Sequence, residues 1–267
     1  MSTQTYHVRP GRLSDIPKLM PIFTTTIARD QLFTILFPLK NSHGDSGPEV
    51  DIDAMKTYMN RVFALRYWSP NFRLSVAFSV DDVECATPLA FSWWKLPDSQ
   101  LSLYERWLSP YGINPTASTM FSRFIEREIE PAIFTPPTTD SKSRSMSTST
   151  PSSQDENDED EVKVGNGNGN ENEHAREDAE EEKRYARRRQ AFYLNTLAVL
   201  PSLQGTGLGS FLLRHGLRAV DDRGAAAWLI ALAGVEPFYR RQGFVEVGRA
   251  NVGEMSGWRG GAIMFRE

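Results

Sequence analysis

The chain has 267 residues, room for one sizeable core or two small ones, and its net charge of −4 hides an acidic stretch: residues 155–182 hold thirteen Asp or Glu against Lys163 and Arg176, leaving the remainder at +7. One cysteine, Cys85, excludes an internal disulfide and fits a reducing compartment, while His7, His43, His174 and His215 form no metal-ligand pattern with it or with one another. MSTQTYHVRPG lacks the apolar core of a signal peptide and no run of about twenty apolar residues follows, so a soluble protein without a membrane partner is expected, cytoplasmic with the nucleus left open.

Thr5 to Arg9 alternates as a first strand, which Pro10-Gly11 turns. Leu13-Ser14-Asp15 offers an N-cap, with Pro17 in the first turn of a helix, IPKLMPIFTTTIARD. Pro21 implies a kink or early break in it. Phe33, Leu36 and Phe37 precede the polar turn NSHGDSGP. Residues 50–68 then place Met55, Tyr58, Met59, Val62, Phe63 and Leu65 at helical spacing, a face that reads as core. FRLSVAFSVDD (72–82) and PLAFSWWKL (88–96) alternate as strands, joined by a short polar turn with Cys85. Trp93 and Trp94 must point to opposite faces, one into the core and the other toward a cleft.

The segment Leu101 to Phe134 includes FSRFIEREIEPAIF, an amphipathic helix that Pro131 should end. From Thr135 to Asn172 the chain is Ser, Thr, Pro, Asn, Gly and acid, with almost no apolar residues. Such a segment cannot offset its ordering entropy by burial and is expected to be disordered. Between Glu173 and Arg189 an acidic half precedes a basic half, the charge order that suits a helix dipole. RYARRRQ could meet an anion such as a nucleotide 3′-phosphate or nucleic acid, but it is best read as a solvated helix end, and nucleic acid is not an expected partner.

The most informative stretch runs from Ala191 to Phe244. AFYLNTLAVL reads as a buried strand, ended by Pro201. Gly205, Gly207 and Gly209 follow at alternate positions, and then Phe211, Leu212, Leu213, Leu217 and Val220 at helical spacing. Strand, glycine turn and helix together build an anion site, because the first N–H groups of a helix have no partner of their own. No lysine follows a glycine here, which excludes a Walker loop. A dinucleotide fingerprint would need glycine where Ser210 stands, and the next strand, AAAWLIALAG, ends without the acidic residue it expects.

Gln204-Gly-Thr-Gly207-Leu-Gly209 instead resembles the acyl-CoA pyrophosphate loop of the GNAT superfamily, Gln/Arg-x-x-Gly-x-Gly/Ala. The segment Glu236-Pro-Phe-Tyr-Arg-Arg-Gln-Gly-Phe244 resembles the closing Tyr-x-x-x-Gly-Phe element of that family. The resemblance implies an α/β (α+β) GNAT acyl-CoA N-acyltransferase fold, a mixed but mostly antiparallel sheet flanked by helices, with splayed fourth and fifth strands. LAVLP would lie in the fourth strand and AWLIAL in the fifth. It also implies a division into residues 1–134, with a helical insert from about 97, a disordered acidic insert over 135–172, and residues 173–267 with the acetyl-CoA core. Residues 30–50 then either roof an acceptor pocket or form a surface loop.

By the same resemblance the backbone of Gln204, Gly205, Thr206, Gly207, Leu208 and Gly209 binds the pyrophosphate, and the main chain of Leu197, Ala198 and Val199 pairs with the pantetheine arm. A backbone N–H near Val199 would polarise the thioester carbonyl. Tyr239 takes the role of the acid that protonates the departing thiolate. Tyr193 and Asn195, which alternation sets on one strand face with Leu197, are candidate acceptor contacts. A general base is not assigned, since that strand has no carboxylate and Glu236 reads as a helix-start residue. The expected activity is transfer of an acetyl or other acyl group from acetyl-CoA to a primary amine in a ternary complex, without a metal. The competing readings are an acyl-CoA-binding regulatory module without turnover and a dinucleotide-binding protein.

Overall fold

A computed structural model describes residues 5–27, 29–37, 50–97, 124–135 and 170–267. Seven strands form one sheet: β1 (Tyr6–Pro10), β2 (Phe72–Ser79), β3 (Ala90–Lys95), β4 (Phe192–Val199), β5 (Ala227–Ala231), β6 (Val245–Arg249) and β7 (Ala262–Arg266). Their spatial order is β1-β2-β3-β4-β5-β7-β6. Every neighbouring pair is antiparallel except β4 and β5. The sheet and its flanking helices have the expected mixed, mostly antiparallel architecture.

Helices α1 (Ile16–Thr26), α2 (Gln31–Leu36) and α3 (Ile52–Trp68) lie on one face. There Phe23 and Phe63 meet edge to face at 5.5 Å, and Phe63 reaches Phe91 and Trp93 of β3, each at 5.7 Å. Burying side chains of this size stabilises by about 1.5–3 kcal/mol each. The chain continues through a π-helical turn (Ile125–Ile129) into α4 (Glu130–Phe134), and Ile125, Ile129 and Ile133 join the same core. Helix α5 (Asn170–Arg189) leads into β4, its last turn carrying Arg187, Arg188 and Arg189 as the dipole favours. On the other face lies α6 (Leu208–Asp221), whose Leu212, Leu213, Leu217 and Val220 are buried. Gly216 makes this packing possible, because a Cβ there would collide with the Trp94 indole. Helix α7 (Glu236–Arg240) is short and leads through Gly243, at φ 88°, to the buried Phe244.

Several expectations need correction. Of the kink or early break expected at Pro21, the break does not occur: helix α1 runs through Pro21 to Thr26. Pro131 does not end the helix: the π-helical turn before it passes directly into α4, which continues to Phe134. Trp93 and Trp94 do face opposite ways, yet both are buried in the two cores and neither borders the cavity beside β4. The stretch expected to be disordered lies outside the described residues from 136 to 169, and its final residues, 170–172, belong to α5. Residues 101–123 of the helical segment, and the turn NSHGDSGP, are likewise outside them. The structure also sets His7 Nε2 at 3.2 Å from the Cys85 sulfur, and neither residue borders the cavity. Among the described residues no helix is long and apolar enough to cross a membrane, and no cluster of metal-ligating side chains occurs.

Candidate active site

The parallel pairing of β4 with β5 stops at Leu194, opposite Leu229, although both strands continue. The cause lies one residue further on. Trp94 pairs with Leu194 and Trp93 with Thr196, so Asn195 is an extra residue bulged out of the β3–β4 ladder. A bulge bends its strand and increases its twist, and here it turns the second half of β4 away from β5. The fourth and fifth strands are therefore splayed, and a cavity of about 710 Å³ occupies the gap.

The bulge also changes which residues share a face. Tyr193 belongs to the core under α1 and α3, whereas Leu197 packs against the cores beneath α6. Simple alternation put the two together; the extra residue separates them. Leu200 N–H donates to Leu89 O at 3.0 Å, toward β3. Counting back from it, the main chains of Leu197 and Val199 turn toward the gap and that of Ala198 toward β3. Val199 O accepts from the Gln204 side chain at 3.2 Å.

At one end of the cavity stands the N-terminus of α6. Gly207, at φ 93°, is the N-cap, and the first helical bond runs from Phe211 N–H to Gly207 O at 2.9 Å. The N–H groups of Leu208, Gly209 and Ser210 thus have no intrahelical acceptor. Gly205, at φ 80°, takes the other left-handed position, and a Cβ at either glycine would meet nothing within 4 Å. Open space therefore lies before a positive helix end, an arrangement that fits a pyrophosphate. Gln204, Gly205, Gly207 and Gly209 border the cavity, with Ser210 and the exposed Arg241 beside them. Thr206 and Leu208 border it with neither side chain: the Thr206 hydroxyl donates to Leu203 O at 2.7 Å, and Leu208 is fully buried. The N–H groups of Gln204 and Thr206 close turns onto Pro201 O and Leu203 O.

Tyr239 borders the middle of the cavity, held between Phe238 and Phe244 with ring centroids 5.0 and 5.9 Å away. Burial pushes its phenol well above the ordinary value, so it stays protonated across the neutral range. Burial likewise raises Tyr193, against the opposing charge of Arg66. Tyr193 stacks on Trp228 at 4.2 Å and, with Asn195, borders the cavity on the α3 side.

That far end is apolar. Phe23, Phe33, Phe37, Met59 and Val62 line it, supplied by α1, α2 and α3. Asp30 ties this wall to the C-terminal chain, capping α2 through Leu32 N–H (2.9 Å) and accepting from the Trp258 indole (2.7 Å) and Ala233 N–H (3.1 Å). Arg66 closes the end, and neither it nor Arg241 stood out in the sequence. Arg241 is one of the variable positions between Tyr239 and Gly243 of the closing element, and an exposed cation there was a signal available to find. No carboxylate or histidine borders the cavity among the described residues, and Glu236 lies outside it.

Residues 160–246 match a family model described as acetyltransferase (GNAT) domain. No curated protein sequence matches the chain significantly. Among solved structures, one from Corynebacterium glutamicum described as histone acetyltransferase HPA2 and related acetyltransferase superposes with a TM-score of 0.50 at 18% identity, covering 98% of this chain and 96% of that one. A GCN5-related N-acetyltransferase from Rhodopseudomonas palustris gives 0.47 at 14% identity, covering 100% and 98%. The PaiA N-acetyltransferase of Thermoplasma acidophilum, solved with coenzyme A, gives 0.44 at 9%, covering 98% and 99%. The sheet order and the superposition agree: the chain has the fold of the GNAT acetyltransferases, and residues 160–246 match that family's model.

Proposed function

We propose that the chain is an N-acetyltransferase that passes an acetyl group from acetyl-CoA directly to a primary amine held in the same cavity. The observation that carries this reading is the continuity of one cavity from the N-terminus of α6, past the open main chain of β4 and Tyr239, to the aromatic end under α1–α3. A module built only to bind CoA would need the first half of that path and not the second.

Each residue has a definable task. The N–H groups of Leu208, Gly209 and Ser210 face the position suited to the pyrophosphate, and Arg241 adds a cation there. The main chains of Leu197 and Val199 offer hydrogen bonds to an extended amide-bearing arm, and a Val199 N–H aimed at a carbonyl oxygen would stabilise the charge developing on it. Tyr239, protonated and bordering the cavity, would give its proton to the departing thiolate, whose ordinary pKa is about 8.5. Desolvation in the same cavity disfavours the thiolate too, so the raised phenol does not forbid the transfer. With no carboxylate or histidine bordering the cavity among the described residues, the amine enters neutral or loses its proton to water.

The test is release of free CoA thiol from acetyl-CoA in the presence of a library of amines, with acetylated products confirmed by mass. Transfer to at least one amine supports the reading. Tight binding of acetyl-CoA with no transfer to any amine would replace it with the regulatory module.

A further inference from the structure

Arg66 sits in the last turn of α3, is 7% exposed, and borders the apolar end of the cavity. Its Nη1 is fully buried with no hydrogen-bond partner, and among the described residues it forms no salt bridge. What it touches are rings: its Cζ stands 5.3 Å from the Phe72 centroid and 5.8 Å from that of Phe63. Only the phenols of Tyr193 and Tyr58 oppose the effect of burial on this guanidinium, and no carboxylate does. Burial lowers it only to about 10, so it is a full cation at neutral pH.

A buried cation without a counter-ion is costly, and removing one partner of a buried pair is strongly destabilising. A fold carries such a group at low cost where a ligand completes it. A guanidinium matches a carboxylate with two parallel hydrogen bonds. The neighbouring walls, Phe23, Phe33, Phe37 and Met59, suit an aromatic or aliphatic group. A polyamine or any other polycation would meet Arg66 with like charge and find no acid on the described walls.

Resting on the acyltransferase reading, we infer that the acceptor is a small amino acid with an apolar side chain, its carboxylate held by Arg66 and its amine presented to the thioester. Arg66 is then a specificity-determining residue for the acceptor and has no part in holding acetyl-CoA.

The test compares free phenylalanine, leucine and methionine with their carboxamides as acceptors, which keep the amine and side chain and remove only the charge. At least one free acid should exceed its amide about tenfold or more in kcat/KM, mostly through KM. Arg66→Met should erase that preference while keeping the rise in melting temperature that acetyl-CoA gives. Without ligand, Arg66→Met should melt at or above the wild-type temperature, because an unpaired buried charge has been removed; a purely structural arginine would give a fall. Arg66→Lys keeps the charge without the fork and should retain part of the preference, and it serves if the methionine variant does not fold. Amides used as well as acids, no transfer to any of the three acids, or a preference that survives in Arg66→Met would overturn the inference. Absence of any acetyl-CoA effect on melting would instead overturn the acyltransferase reading itself.

Discussion

The two ends of the cavity are built in different ways. The α6 end is made of backbone: two glycines at positive φ, a helix N-terminus and a strand main chain turned into a gap. The α3 end is made of side chains from α1, α2 and α3 that are far apart in sequence from β4. A backbone site requires particular residues at fixed spacing, whereas a side-chain site requires only that distant residues arrive together. The first kind supports one ligand class rigidly. The second can change with any of several side chains.

That contrast can be broken by substitution, and the largest expected effect lies where the two ends meet. Tyr239→Phe should lower turnover about 10²-fold or more, with the KM for acetyl-CoA nearly unchanged, as steady-state rates would show. A change under tenfold would remove Tyr239 from the chemistry. Next, Gly207→Ala places a Cβ at φ 93°, a conformation costing roughly 1–2 kcal/mol for other residues. Calorimetry should show acetyl-CoA binding weakened about tenfold, because the helix N-terminus must shift. Gly216→Ala, directed at the core alone, should destabilise by roughly 1–3 kcal/mol through its clash with Trp94 and leave the KM for acetyl-CoA unaltered. Denaturant unfolding with parallel kinetics would separate those outcomes. The smallest effect belongs to Arg241→Ala at the exposed rim: about a threefold rise in the KM for acetyl-CoA, fading as salt is raised.

The same contrast explains what was legible in the sequence. β4, Pro201, the glycine loop and α6 are local events, and the order of their residues is enough to mark a strand, a glycine turn and a helix start. Tyr239 could be singled out because Gly243 and Phe244 stand at fixed distance from it, and it does border the cavity. The bulge at Asn195 was not, since it arises from pairing with Trp93 and Trp94 about a hundred residues earlier. Without it, alternation set Leu197 beside Tyr193, the wrong face. Arg66 stayed hidden because its helix shows a methionine-aromatic face that reads as core, and nothing local says that its arginine is turned inward. Pro131 misled for a related reason: a proline marks a local cost, while packing on the sheet decides whether the helix bears it.

The most direct test of the central claim is the melting temperature of the whole chain with acetyl-CoA, set beside NAD and ATP. Preferential binding to the folded state adds about 2.7 kcal/mol at a hundredfold excess over Kd, enough to raise melting by several degrees. The account predicts such a rise with acetyl-CoA and none with NAD. No rise with acetyl-CoA, or a rise with NAD alone, would contradict it.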